Sequence, residues 1–284
     1  SVVLNIALDL TLILLMGMGV EGAALATVAA QTVAAAGLCL YTRLRYPELN
    51  LTRADCKTDM ESLRRVSSWS FLTCLQQSVM NFGILMVQGL VNSFGTSVMA
   101  AFAAAVKIDS FAYMPVQDFG NAFSTFIAQN FGAGRTGRIR RGIRSAVIVT
   151  TLFSLGVSAL VFWLSPWLMS LFVSEAESGI IAIGVEYLRI EGSFYVGIGW
   201  LFLLYGLYRA VALPSMSVVL TVVSLGTRVA LAYALAAIPS VGYTGIWWSV
   251  PIGWALADIT GLWYYRRRRD TLMSFGGCRM TAPQ

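Results

Sequence analysis

Charged residues interrupt two of the long apolar stretches of the chain. Lys107 and Asp109 lie within 97–130, and Arg189 and Glu191 lie within 180–208, with Glu186 one turn before Arg189. Each pair sits about ten residues, or roughly 15 Å of helix, from one end of its stretch. An ionisable side chain at membrane depth costs about 2.5–3.5 kcal/mol on insertion scales, so each needs a physical reason. Two mixed-charge pairs at matched depth suggest a network facing protein or water. Two chemistries fit: a proton relay or charged gate, or a structural ion pair that pins one helix to the other. On either reading Lys107 is expected within interaction distance of Glu191 or Asp109. The stretch 66–91 adds three amides, Gln76, Gln77 and Asn81, of which the last two share a helix face at i, i+4 spacing. Such amides hydrogen-bond a bound molecule or join helices. Asp118 follows Pro115, whose ring removes a backbone donor and kinks a helix, exposing acceptors. Arg228 and Asp258 read as a packing pair or caps, and Trp247, Trp248 and Trp254 as interfacial anchors and packing.

The elements that hold these residues follow from composition. The 284 residues are 57% hydrophobic and 12% charged, with a mean hydropathy of +0.71. A soluble domain carries about twice that charge, because its surface must be solvated. Apolar stretches run over 2–16, 22–42, 66–91, 97–130, 145–165, 180–208, 213–237 and 243–265. All but the first reach the roughly 20 residues that cross a bilayer as a helix. They are too continuous for barrel strands, which alternate. The fold class is therefore all-α and polytopic. Ser1 opens in mid-hydrophobic run with no initiator Met, which reads as a truncation of a longer parent. There is no His, and the cysteines at 39, 56, 74 and 278 form no CxxC, so they read as unpaired apolar fillers, a zinc or thiol-based site has almost no ligands, and no cofactor is expected. No GxSxG, GxGD or Walker lysine motif occurs, which argues against an intramembrane enzyme and a nucleotide site.

The basic residues are sorted by side. Alternating the inter-helix segments puts 17 of the 20 on one side, in 43–65, 131–144, at Arg209 and in the tail 266–284. The facing segments, 17–21, 92–96, 166–179 and 238–242, have none. Such a bias places the basic loops and C-terminus in the cytoplasm, against a lipid bilayer at the plasma (inner) membrane. The Arg-rich stretch TFIAQNFGAGRTGRIRRGIR (125–144) lacks the interleaved aromatics of a nucleic-acid surface, so nucleic acid is not an expected partner.

Sliding the chain over itself by 223 positions pairs Gly19 with Gly242, Gly22 with Gly245, Tyr41 with Tyr264, Arg43 with Arg266 and Arg45 with Arg268. Leu12 falls on Leu235 in the same register. Internal repeats mark transporters whose halves move about a shared site. The glycines begin helices at a tight turn, where a positive φ is needed. The stretches NIALDLTLILLMGMGVEGAALATVAAQ (5–31), LVNSFGTSVMAAFAAAVKID (90–109), MPVQDFGNAFSTFIAQNFGAG (114–134), YLRI (187–190), LYRA (207–210), TRVALAY (227–233) and GIWWSVPIGW (245–254) resemble, in this order, the multidrug and toxic compound extrusion (MATE) transporters.

The resemblance implies a two-lobe, twelve-helix architecture. Residues 1–42 would be the end of the first lobe (helices 5–6), 43–65 a cytoplasmic linker, 66–265 the complete second lobe (helices 7–12) and 266–284 a basic tail. Helices 1–4 of the parent would then be missing partners. It further implies secondary-active efflux of amphipathic, often cationic small molecules by alternating access, coupled to proton or sodium. An alternative within the superfamily is a lipid-linked oligosaccharide flippase. By the resemblance, helices 7, 8 and 10 line the second-lobe cavity. Sodium-coupled members carry an acid within helix 7 and another deep in helix 10. Here 66–91 has none, and Glu191 sits higher. That departure leans toward members whose coupling aspartate is on helix 1.

Overall fold

The computed structural model describes residues 1–47, 59–174 and 176–274, the side chains of 65 and 269–274 excepted. Most of the expected linker, with Arg53, Cys56 and Lys57, and the end of the tail, with Cys278 and Arg279, lie outside the described residues. All regular elements among those described are helical. The chain divides into two compact units, Ser1–Arg65 and Val66–Gln284.

In the first unit, α1 (Val2–Asp9) passes into a π-helical turn (Leu10–Leu15), followed by α2 (Gly19–Arg45). The buried face of α2 is Gly22, Ala26 and Ala30, a stripe of small residues that lets backbones approach. Asn5 Nδ2 donates to Thr27 Oγ1 across this hairpin at 3.4 Å.

The second unit holds most of α3 (Met60–Asn92), then α4 (Thr96–Gly132), α5 (Thr136–Ser170), α6 (Ser178–Gly192), α7 (Tyr195–Ala210), α8 (Pro214–Ala236) and α9 (Thr244–Ser274). Five helices, α2, α3, α4, α5 and α8, are long and apolar enough to cross a membrane; α6 and α7 make a sixth span if counted together. The 31-residue α9 is long enough as well. Its tryptophans, Pro251 and Asp258 make it less apolar than the others. Several helices overrun the expected boundaries: α2 ends at Arg45, α3 starts at Met60 and α9 runs to Ser274. Arginine is a good helix former, so a helix continues after its apolar run ends. The stretch 180–208 is not one helix. It breaks at 193–194, and α6 and α7 meet at 52°.

The repeat has a structural counterpart within each unit. Gly19 and Gly242 adopt φ of 56° and 54°, a left-handed conformation that L side chains avoid. A Cβ on Gly22 would stand 2.9 Å from Met18 and 3.2 Å from Leu12, and one on Gly245 would stand 2.9 Å from Val241 and 2.5 Å from Leu235. Met18 and Leu12 map onto Val241 and Leu235 under the same 223-residue shift. Both turns thus close against equivalent neighbours.

Two buried clusters hold the second unit together. One, with Ile127, Ile139, Tyr208, Val211 and Met216, gathers near the turns at 133–135 and 211–213. The other, with Val91, Val98, Met169, Tyr187 and Trp247, gathers near the turns at 93–95 and 238–243. Between them α4 and α7 cross in close backbone contact: a Cβ on Gly206 would stand 2.6 Å from the Gly120 carbonyl oxygen. Gly206→Leu should therefore overpack this crossing and destabilise by about 1–3 kcal/mol. Gly226→Leu, with no heavy atom within 4 Å of its Cβ position, should cost far less. Thermal unfolding of the purified variants reads the difference.

Candidate functional site: a buried charge cluster

Glu191 occupies the last turn of α6 and is 2% exposed. Asp109, from the middle of α4, is 5% exposed, and Arg228 of α8 is half-buried. The two carboxyls and the guanidinium lie within electrostatic reach of one another. The Tyr187 hydroxyl adjoins Glu191, and the Tyr195 hydroxyl adjoins Asp109 without the geometry of a hydrogen bond. Asp109 Oδ1, Glu191 Oε2 and Arg228 Nε have no hydrogen-bond partner, and no direct ion pair joins the three residues. Buried polar atoms are almost always paired, so three orphaned atoms close together make this cluster the candidate site.

The chain positions the cluster by simple means. Tyr187 and Glu191 fall at i and i+4 on one face of α6, and Tyr195 opens α7 just past the bend. The bend comes directly after Glu191: the Phe194 N–H donates to the Glu191 carbonyl at 3.0 Å and Ser193 Oγ to the Arg189 carbonyl at 2.6 Å. Broken spans place helix ends and their unpaired backbone groups at membrane depth, where transporters hold their ligands. One side of the site is walled by aromatics. The fully buried Trp247 stacks on Phe102 at 5.5 Å and meets the Tyr187 ring edge-on at 5.0 Å.

The expected site residues divide sharply. Asp109 and Glu191 come together. Lys107 does not join them: it is exposed, and two helix positions from Asp109 turn it about 200° away. Arg189 is also exposed, with its guanidinium 5.4 Å from the Phe162 ring centre. Glu186 accepts from Thr244 Oγ1 at 2.8 Å and ties α6 to α9. On α3, Gln76 is half-buried and Gln77 and Asn81 are exposed; Asp118 is exposed on α4, which continues unbroken through Pro115. The Arg228–Asp258 pair does not form. Arg228 acts on Asp109 and Glu191, whereas Asp258, 6% exposed with Oδ1 unpartnered, lies near Tyr205. Trp247 and Trp254 are buried packing residues, and Trp248 alone of the three is exposed. Arg228, Tyr187 and Tyr195 were not among the expected site residues. The tyrosines carried a readable signal, their four-residue spacing about Glu191. Arg228 did not, because only packing decides which acid it meets.

With both carboxyls ionised the cluster carries one net negative charge in a poorly solvated interior. One proton or one monovalent cation neutralises it. No group of three His, Cys, Asp or Glu side chains suited to a metal ion occurs among the described residues.

Comparison with known proteins identifies the family. The MatE family profile matches residues 70–234, more than half of the chain. The chain belongs to the MATE family. It is 28% identical over 272 residues to "Probable multidrug resistance protein YpnP" of Bacillus subtilis, covering 95% of this chain and 59% of that protein. It is 25% identical to "Probable multidrug resistance protein NorM" of Thermotoga maritima, covering 86% of this chain and 53% of that protein. It is 23% identical to "Multidrug export protein MepA" of Staphylococcus aureus, covering 96% and 59%. Among solved structures, a multidrug resistance MATE family transporter of the MOP superfamily in an outward-facing conformation superposes with a TM-score of 0.84 at 23% identity, over 95% of this chain and 60% of that one. A Vibrio cholerae MATE transporter superposes with a TM-score of 0.86 at 21% identity, over 96% and 61%. This MATE chain is thus an all-α, multi-pass membrane protein, and it spans about 59% of the length of YpnP.

If Arg228 balances the two carboxyls, Arg228→Gln should destabilise by about 3 kcal/mol, and adding Glu191→Gln should recover 1 kcal/mol or more of that loss. Lys107→Gln should change stability by less than about 0.5 kcal/mol. A double-mutant cycle on unfolding midpoints checks both; additive losses would show the residues are uncoupled.

Proposed function

We propose that residues 66–265 are the second lobe, and 1–42 the last helices of the first, of a secondary-active exporter. It would expel amphipathic, often cationic compounds by alternating access, in exchange for protons or sodium ions. The observation that carries this reading is the cluster of Asp109, Glu191 and Arg228 beside a broken span, which carries one net negative charge when both carboxyls are ionised. A cation entering the cluster removes its excess charge and so favours a different arrangement of the helices that bear it. The names of the relatives, multidrug resistance and multidrug export proteins, support the substrate class. The second acid here comes from α4 and not from α3, which supplies the pair of carboxyls that 66–91 lacks.

In this reading the protein lies in the plasma (inner) membrane, with 131–144 and 266–284 cytoplasmic and 166–179 outside. A Gly137→Cys variant on a Cys-free background should react with an impermeant thiol reagent only in opened cells or inverted vesicles. Labelling from outside intact cells would reverse the orientation.

Alternating access needs two complete halves, and the chain matches only 59% of YpnP. The working unit would include four further helices of the same parent chain. Residues 1–284 in liposomes should show no gradient-driven efflux, whereas a chain of the relatives' full length should. In that longer chain, Asp109→Asn or Glu191→Gln should uncouple efflux from the imposed proton or sodium gradient, and Lys107→Gln should not. Efflux from residues 1–284 at the longer chain's rate would refute the two-lobe mechanism.

A further inference from the structure

The cleft between α4 and α5 at their arginine-bearing end has no part in the cluster above. It has a volume of about 690 Å³ and is lined by Phe119, Ala122 and Phe126 of α4 and by Arg138, Arg141 and Val149 of α5. The lining follows from helical spacing. Positions 119, 122 and 126 make one stripe on α4, and 138, 141, 145 and 149 make one on α5. Gly142 lets the Phe126 ring lie against α5, since a Cβ there would collide with the ring. A second cleft of about 220 Å³ continues the first, sharing Phe119 and Val149 and reaching Pro115 and Phe153. Together they form an apolar track with two cations at one end.

Those cations have no protein partner among the described residues. Arg138 and Arg141 are exposed and make no ion pair, and α5 contains no acidic residue at all. From Arg141 to Phe153 is twelve residues, about 18 Å of helix. One leaflet of a bilayer's hydrocarbon core is about 15 Å deep. The track therefore matches one acyl chain that begins at the interface and ends at mid-membrane. Guanidinium pairs are well suited to phosphate oxygens, and basic pockets between membrane helices hold anionic headgroups. Arg140 and Arg144 belong to the same basic run but lie outside the cleft.

We propose that this cleft binds an anionic phospholipid, its headgroup bridged by Arg138 and Arg141 and one acyl chain laid along Phe119, Phe126 and Val149. The site is selective by charge at its mouth and by length along its track. A free anion would use the first feature alone.

Native mass spectrometry of the purified, delipidated protein with added phosphatidylglycerol or phosphatidylcholine tests it. Phosphatidylglycerol should bind in preference to phosphatidylcholine, and R138Q/R141Q should weaken it about thirtyfold, the effect of two interfacial charges. A122W keeps both arginines but fills the track, and should weaken binding as well. R140Q/R144Q removes equal charge from the same run and should leave binding unchanged. Unfolding midpoints of all variants guard against misfolding as the cause. Equal binding of the two lipids, equal loss in R140Q/R144Q, full binding in A122W, or displacement of the lipid by inorganic phosphate would each overturn the proposal. So would a Ser145→Cys protein that cross-links to a second copy of the chain instead of being shielded from a thiol reagent by phosphatidylglycerol.

Discussion

Charge buried in a low-dielectric interior is the constraint on which the second unit depends. Asp109, Glu191 and Arg228 come from three different helices, and none of them can turn toward hydrocarbon without a large desolvation cost. They lie within electrostatic reach of one another, yet no direct ion pair forms and each residue keeps an orphaned atom. With both carboxyls ionised the three side chains carry one net negative charge, which one further positive charge would balance.

The rest of the unit serves to keep that cluster in place without a hydrophobic force between helices, because lipid tails are as apolar as the side chains they would replace. Close backbone approach takes over. Gly120 and Gly206 bring α4 against α7, and Gly253 lets the Ser224 carbonyl of α8 come up to α9, directly beside the Cβ of Arg228. The polar side chains Thr150, Ser154, Ser158, Ser217, Thr221 and Ser224 are also buried, along α5 and α8.

Much of the architecture was legible from the chain. Length and continuity of the apolar runs imply membrane helices, because the bilayer demands internal backbone hydrogen bonding over a set length. The glycine pairs of the 223-residue repeat were readable because a positive φ and a missing Cβ are local requirements that few residues meet. The break at 193–194 was not, since the run 180–208 stays apolar across it and Gly192–Ser193 alone is a weak signal. Candidate site residues followed the same division. Asp109 and Glu191 stood out by the cost of their burial, but depth along a helix says nothing about the direction of a side chain, and so Lys107 and Arg189, at the same depth, proved to be exposed.

By itself, the sequence determined that the chain is helical and membrane-spanning, which turns repeat, which loops gather the basic residues and which acids need an explanation. All of these rest on composition or on spacing within one element. Only the tertiary structure decided that Arg228 meets Asp109 and Glu191 and not Asp258, that Tyr187 and Tyr195 flank them, and that Trp247 is a wall and not an anchor. Each of those outcomes depends on how helices far apart in sequence rotate and cross. That rotation is set by small-residue contacts such as Gly120 on Gly206, whose partners no single stretch of the chain can name.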